Sequence, residues 1–76
     1  MGLRLSRHLG KPRAILPGQY VVDDPCVFVC CPACGGIDDV SVKQPPDRAG
    51  LVPGKWRCPT ATCSFTDWLS LGDWNP

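Results

Sequence analysis

Among the residues of this chain able to do chemistry, the cysteines stand first, and four of the six form two spaced pairs, Cys31-Pro32-Ala33-Cys34 and Cys58-Pro59-Thr60-Ala61-Thr62-Cys63. A tetrahedral ion such as zinc takes four thiolates at about 2.3 Å each. Two cysteines a few residues apart can face one ion only if the backbone turns tightly between them. Pro32 fixes φ just after the first ligand, and Gly35 and Gly36 let the chain turn back with its amides near the sulfurs. The 23 residues between Cys34 and Cys58 suffice for a strand, a loop and a strand that bring the second turn opposite the first. The spacing predicts a tetrahedral metal site on Cys31, Cys34, Cys58 and Cys63.

Size and setting favour metal over disulfide. A 76-residue chain is one domain at most, and a core of that size rarely supplies more than about 3–5 kcal/mol, so a staple is expected. A secretory leader needs an unbroken apolar stretch of about 7–15 residues, whereas Arg4, Arg7, Lys11 and Arg13 interrupt the N-terminus. No run approaches the roughly 18 apolar residues of a transmembrane span. These features lead us to expect a reducing compartment, the cytoplasm or a virion, where cysteines bind metal more often than they pair.

The elements that must position the cysteines are short. Glu is absent, nine Pro and eight Gly are scattered through the chain, and no run of good helix formers exists. The pattern predicts strands at Gln19–Val22 and Val27–Cys30, the second delivering the chain to the first cysteine turn. Ile37, Val40 and Val42 mark a returning strand, and residues 44–54, rich in Pro and Gly, a loop. Lys55–Arg57 leads into Cys58 and Phe65–Leu71 leads out of Cys63, with Phe65, Asp67, Leu69 and Leu71 on one face and Thr66, Trp68 and Ser70 on the other. The expected organisation is a basic N-terminal arm over 1–18, a small all-β, metal-stabilised domain over 19–72 and a C-terminal tail over 73–76.

Strand, cysteine turn, strand, twice over, resembles the zinc-ribbon family, whose members bind one structural zinc between two cysteine knuckles at the tips of β-hairpins. The resemblance covers residues 28–68. It implies a zinc ribbon with Cys31, Cys34, Cys58 and Cys63 as ligands, and says almost nothing about role. The C-x₄-C spacing of the second knuckle is wider than the commonest form. Lys55-Trp56-Arg57-Cys58-Pro59 also looks like the approach to the second knuckle of rubredoxins, which would imply iron and one-electron transfer. That family uses two C-x₂-C knuckles, so iron, or an iron–sulfur cluster on four of the six cysteines, ranks below zinc. Cys30, next to Cys31 on a strand, should point to the opposite face. For Cys26 and Cys30 the leading reading is small, buried and apolar. The alternatives are Cys30 replacing Cys31 as ligand, a Cys26–Cys30 disulfide, or a persulfide or cluster role.

No other constellation suggests catalysis. Four thiolates close a metal shell that a catalytic site would leave open. The sole histidine, His8, lies far away in sequence, and Asp23-Asp24 and Asp38-Asp39 read as solvated acids at strand ends. We therefore expect no enzyme and no small-molecule substrate. The net charge of +1 divides into four Lys/Arg without an acid over residues 1–13, and four Lys/Arg against seven Asp over the remainder. Candidate partner or nucleic-acid contacts are Arg4, Arg7, Lys11, Arg13, Lys55, Arg57 and Trp74, while Trp56 reads as core. The leading expectation is a protein-interaction or assembly component of a larger machine, such as a phage particle or bacterial complex. The runner-up is a nucleic-acid-binding accessory of transcription or packaging, its electrostatics supplied by the arm. No membrane partner is expected.

Overall fold

The fold, given by a computed structural model, is described for residues 2–75. Strands β1 (Leu3–Arg7), β2 (Gln19–Asp23), β3 (Cys26–Cys30), β4 (Ile37–Asp39) and β7 (Leu69–Leu71) form one sheet in the order β4-β3-β2-β1-β7. Strands β5 (Trp56–Arg57) and β6 (Thr66–Asp67) form a separate antiparallel pair. One α-helical turn, α1 (Val40–Lys43), follows β4, and a 3-10 turn spans Pro12–Ala14. Among the described residues no helix is long and apolar enough to cross a membrane.

Strands β2, β3 and β4 form an antiparallel meander, with Val21 opposite Phe28 and Cys30 opposite Ile37. Period-two alternation sorts their side chains. Tyr20, Val27 and Val29 enter the main core, whereas Val21 and Cys30 face the reverse side and pack with Ile15 from the β1–β2 crossover. The main core also gathers Leu5, Val40, Val52, Trp56, Leu69 and Leu71, so it lies between the large sheet and the β5–β6 hairpin.

The expected arm is corrected here. Residues 3–7 form β1, which lies between β2 and β7 and runs parallel to both. Leu3-Arg4-Leu5-Ser6-Arg7 alternates apolar and polar residues, and Leu5 is only 1% exposed. Backbone bonds from the Leu3 amide to the Trp68 carbonyl (2.7 Å), the Gly72 amide to the Leu5 carbonyl (2.8 Å) and the His8 amide to the Tyr20 carbonyl (2.8 Å) stitch both sides of the strand. The expected tail is drawn in as well. Half-buried Trp74 lies with its ring 6.2 Å from that of Tyr20, whose hydroxyl donates to the Gly72 carbonyl. Gly50, at φ +83°, makes room for Trp74, because a β-carbon there would come within 2.6 Å of the Trp74 Cβ. Residues 1 and 76 of the expected arm and tail lie outside the described residues.

The returning strand is also shorter than expected. It ends at Asp39, whose carboxylate accepts the Ser41 amide (2.9 Å) and hydroxyl (2.6 Å) and so caps α1. Val40 is then fully buried while Val42 is 79% exposed, because the helical turn replaces strand alternation. Nor is Asp38 a solvated acid: it accepts the Trp56 indole N–H at 2.9 Å and thereby ties β4 to β5.

If β1 is integral, Leu5→Ala should lower the unfolding free energy by about 2–5 kcal/mol in a denaturant titration, comparable with the whole stability of so small a domain. A dispensable arm would show a change below about 0.5 kcal/mol.

Candidate metal centre

Each cysteine pair occupies the turn of a hairpin. Cys31 directly follows β3, and its amide bonds the Gly36 carbonyl (2.8 Å) while the Gly35 amide bonds the Cys31 carbonyl (2.8 Å). Gly35 takes φ +77°, in the left-handed region that favours glycine. Gly36 has no room for a side chain, since a β-carbon would lie 2.5 Å from the Thr60 Oγ1 and 3.3 Å from the Cys34 Sγ. Its amide instead donates to the Cys34 sulfur at 3.3 Å. On the other hairpin the Cys58 amide bonds the Phe65 carbonyl (3.0 Å), and the Cys63 amide bonds the Thr60 carbonyl (3.0 Å) across the wider turn. Buried Trp56, with Phe65 6.2 Å away ring to ring, anchors the stem below.

The two turns meet. The Sγ atoms of Cys31, Cys34, Cys58 and Cys63 all lie within 4.8 Å of one another, with Cys31–Cys63 at 3.8 Å and Cys34–Cys58 at 3.4 Å. A tetrahedron with metal–sulfur bonds of about 2.3 Å has edges of about 3.8 Å, so the present donors fit one four-coordinate ion. Cys31 and Cys58 form the buried side of the cluster, Cys63 is half-buried and Cys34 is exposed.

The electrostatics favour a cation. The Thr60 hydroxyl, the Gly36 amide and the Cys58 thiol hold Cys34 down at about 6. The Phe65 amide also pulls Cys63 downward, but burial and the neighbouring thiols outweigh it and push Cys63 up to about 12. On its own the cluster therefore carries negative charge most readily at Cys34 and resists further ionisation. A divalent ion reverses that resistance, because each added thiolate then meets positive charge.

The other cysteines stand apart. Cys30 is buried on the reverse face, where its thiol donates to the Gly35 carbonyl at 3.4 Å, so it does not replace Cys31 in the cluster. A Cys26–Cys30 disulfide does not form: four residues along an extended strand separate the two by about 13 Å, beyond the roughly 7 Å reach of a disulfide. The thiol of half-buried Cys26 is pushed up by its hydrogen bond with the Asp39 carboxylate.

The expected cationic contacts divide into two regions. Arg4 is exposed on β1, the Arg7 Nη1 donates to the Asp73 carbonyl at 3.3 Å, the Lys11 carbonyl lies 3.1 Å from the His8 Nε2, and Arg13 is exposed in the 3-10 turn. None of these reaches the cysteines. Lys55 and Arg57 do approach them, lining an open cavity of about 440 Å³ that also meets Cys58, Thr60 and Cys63. Lys43 lines the same cavity and had no strong sequence signal, because it comes from the helical turn that replaced the expected strand.

Cys34→Ser or Cys58→Ser should abolish cooperative unfolding at neutral pH, since structural zinc contributes on the order of 10–16 kcal/mol of apparent binding energy. Cys26→Ser should shift the unfolding midpoint little. Metal retention, followed with a chromophoric chelator, should fall with decreasing pH as protons compete for the sulfurs. Cys34 contributes in the same direction: its depressed value favours the folded state above the ordinary thiol pKa, and that gain fades as pH falls through about 6. Compared with known proteins, the chain matches no family model, no curated protein and no solved structure, so the cysteine cluster establishes a capacity to bind metal without assigning a family.

Proposed function

We propose that this protein is a non-catalytic zinc-ribbon module in which one structural zinc fixes two β-hairpins, and that the rigid surface so formed serves as an interaction or assembly component of a larger protein machine. The observation that carries this reading is the meeting of four sulfurs from two hairpin turns distant in sequence. Four thiolates complete a tetrahedral shell and leave no position for a reacting water. Neither a histidine nor a carboxylate belongs to the cluster, and His8 is occupied near Lys11 in the β1–β2 crossover. Exposed apolar side chains at Leu9, Leu16, Leu51 and Trp68 supply surface that a protein partner could cover.

Zinc is preferred to iron because the C-x₄-C spacing of the second knuckle is wider than a rubredoxin pair; four thiolates alone suit either metal. A second reading, nucleic-acid binding, draws support from the cavity lined by Lys43, Lys55 and Arg57. The arm expected to supply its electrostatics is instead strand β1, which carries Arg4 and Arg7 within the sheet.

Metal analysis with an absorption spectrum tests the structural-zinc core of the proposal. Protein purified under reductant should hold one zinc per chain, show no visible absorption, and keep its fold when cadmium, another thiophilic tetrahedral ion, replaces zinc. A coloured protein containing stoichiometric iron would move it to the redox class.

A further inference from the structure

The β5–β6 hairpin presents a surface that neither the metal nor the core uses. Its pairing sets Trp56 opposite Asp67 and Arg57 opposite Thr66. Trp56 is only 1% exposed and points inward, so alternation sends Arg57 and Lys55 outward. Trp68, 49% exposed, follows Thr66 by two positions, shares the alternating face of Thr66 and Arg57, and lies opposite the bend at residues 53–55, between the Val52–Leu69 backbone bond and the Trp56–Asp67 pair. An indole face and two cations thus share one side of the hairpin.

The neighbouring elements hold this surface in place. Gln44 donates from Nε2 to the Pro53 carbonyl at 2.8 Å and to the Lys55 carbonyl at 3.5 Å, fixing the approach to β5 against the end of α1. Lys43, the last residue of α1, thereby joins Lys55 and Arg57 around the open cavity. Lys43 lies 3.7 Å from Asp38, but Asp38 also accepts the Trp56 indole and Lys43 is 63% exposed, so this ion pair leaves the lysine free to take a second anion. Lys55 and Arg57 have no ion-pair partner among the described residues.

We propose that this surface binds single-stranded nucleic acid, with a base stacked on Trp68 and successive phosphates held by Lys55, Arg57 and Lys43. The inference rests on the nucleic-acid reading and gives that reading a location. A flat, exposed aromatic ring beside outward cations two residues apart on a strand suits a flexible strand, whose bases offer π-faces and whose backbone repeats a negative charge. A duplex hides those faces inside its stack, and an acidic peptide would use the cations without the indole.

The test is binding of oligothymidylate of about a dozen nucleotides to the zinc-loaded full chain across a salt series. Each cation contact should contribute about −0.7 to the slope of log affinity against log salt, giving about −2 for the three. Lys55→Ala and Arg57→Ala should each make the slope shallower by about 0.7. Trp68→Ala should weaken binding roughly ten- to a hundredfold, whereas Trp68→Phe should keep most of the affinity and abolish the fluorescence quench on binding. Retained zinc, one per chain, shows that each variant is folded. Absence of binding at low salt would overturn both this site and the nucleic-acid reading. Binding that persists unchanged in Trp68→Ala, or with an unaltered slope in the cation variants, would overturn this site alone. Equal binding of poly-aspartate, or loss of zinc from the Lys55 and Arg57 variants in place of lost binding, would also overturn it, the cations then serving an acidic protein partner or the metal's own charge.

Discussion

Four cysteine sulfurs drawn to within 4.8 Å of one another form the constraint on which the rest of this molecule depends. Thiols that close compete, since ionising one puts a negative charge beside the next; Thr60 and Gly36 favour the thiolate at Cys34, while burial and the neighbouring thiols oppose it at Cys63. Only a cation lets all four become thiolates together, and a cation gripped this way clamps the turn after β3 to the turn after β5. Without that clamp the β5–β6 pair, two residues per strand, has too few backbone bonds to stand alone.

The clamp works because the protein prepares both turns from its backbone outward. Gly36 brings an amide to the Cys34 sulfur where any side chain would collide with Thr60, and Trp56 fills the space beneath both hairpins while its indole N–H reaches Asp38. The candidate metal site and the core share elements: Cys31 and Cys58 belong both to the four-sulfur cluster, which could hold a metal ion, and to the main apolar cluster. Loosening either would weaken the other, so the domain should unfold as one unit and not as a metal site attached to an independent sheet.

Much of this was legible in the residues. The paired cysteines with their Pro and Gly neighbours fixed which sulfurs meet, because ligand spacing and turn chemistry are local properties. Strands β2 and β3 and the 44–54 loop were equally plain from alternation and turn residues. What could not be read was long-range pairing. Leu3-Arg4-Leu5-Ser6-Arg7 alternates correctly for a strand, but its charges matched those of a solvated arm, and nothing local says that it lies between β2 and β7. Asp39 was similarly misread: its capping of α1 depends on Ser41 two residues later, and the apolar pattern at Val40 and Val42 suggested a strand. Alternation grouped Trp68 with Thr66 and Ser70, but Asp67 among the apolar residues of the other face kept the buried side from being legible, and only the fold shows Trp68 exposed.

The separation of roles follows. Buried Trp56, Cys31 and Cys58 belong to the core beneath the two hairpins, which leaves outward-facing residues free to meet a partner. The account stands or falls on the metal being the clamp. Exhaustive chelation with EDTA under strong reductant, followed by thermal unfolding monitored by tryptophan fluorescence, tests this most directly. The account predicts loss of the cooperative transition and its return when zinc is restored; a metal-free, fully reduced protein that still unfolds cooperatively at the same temperature would contradict it.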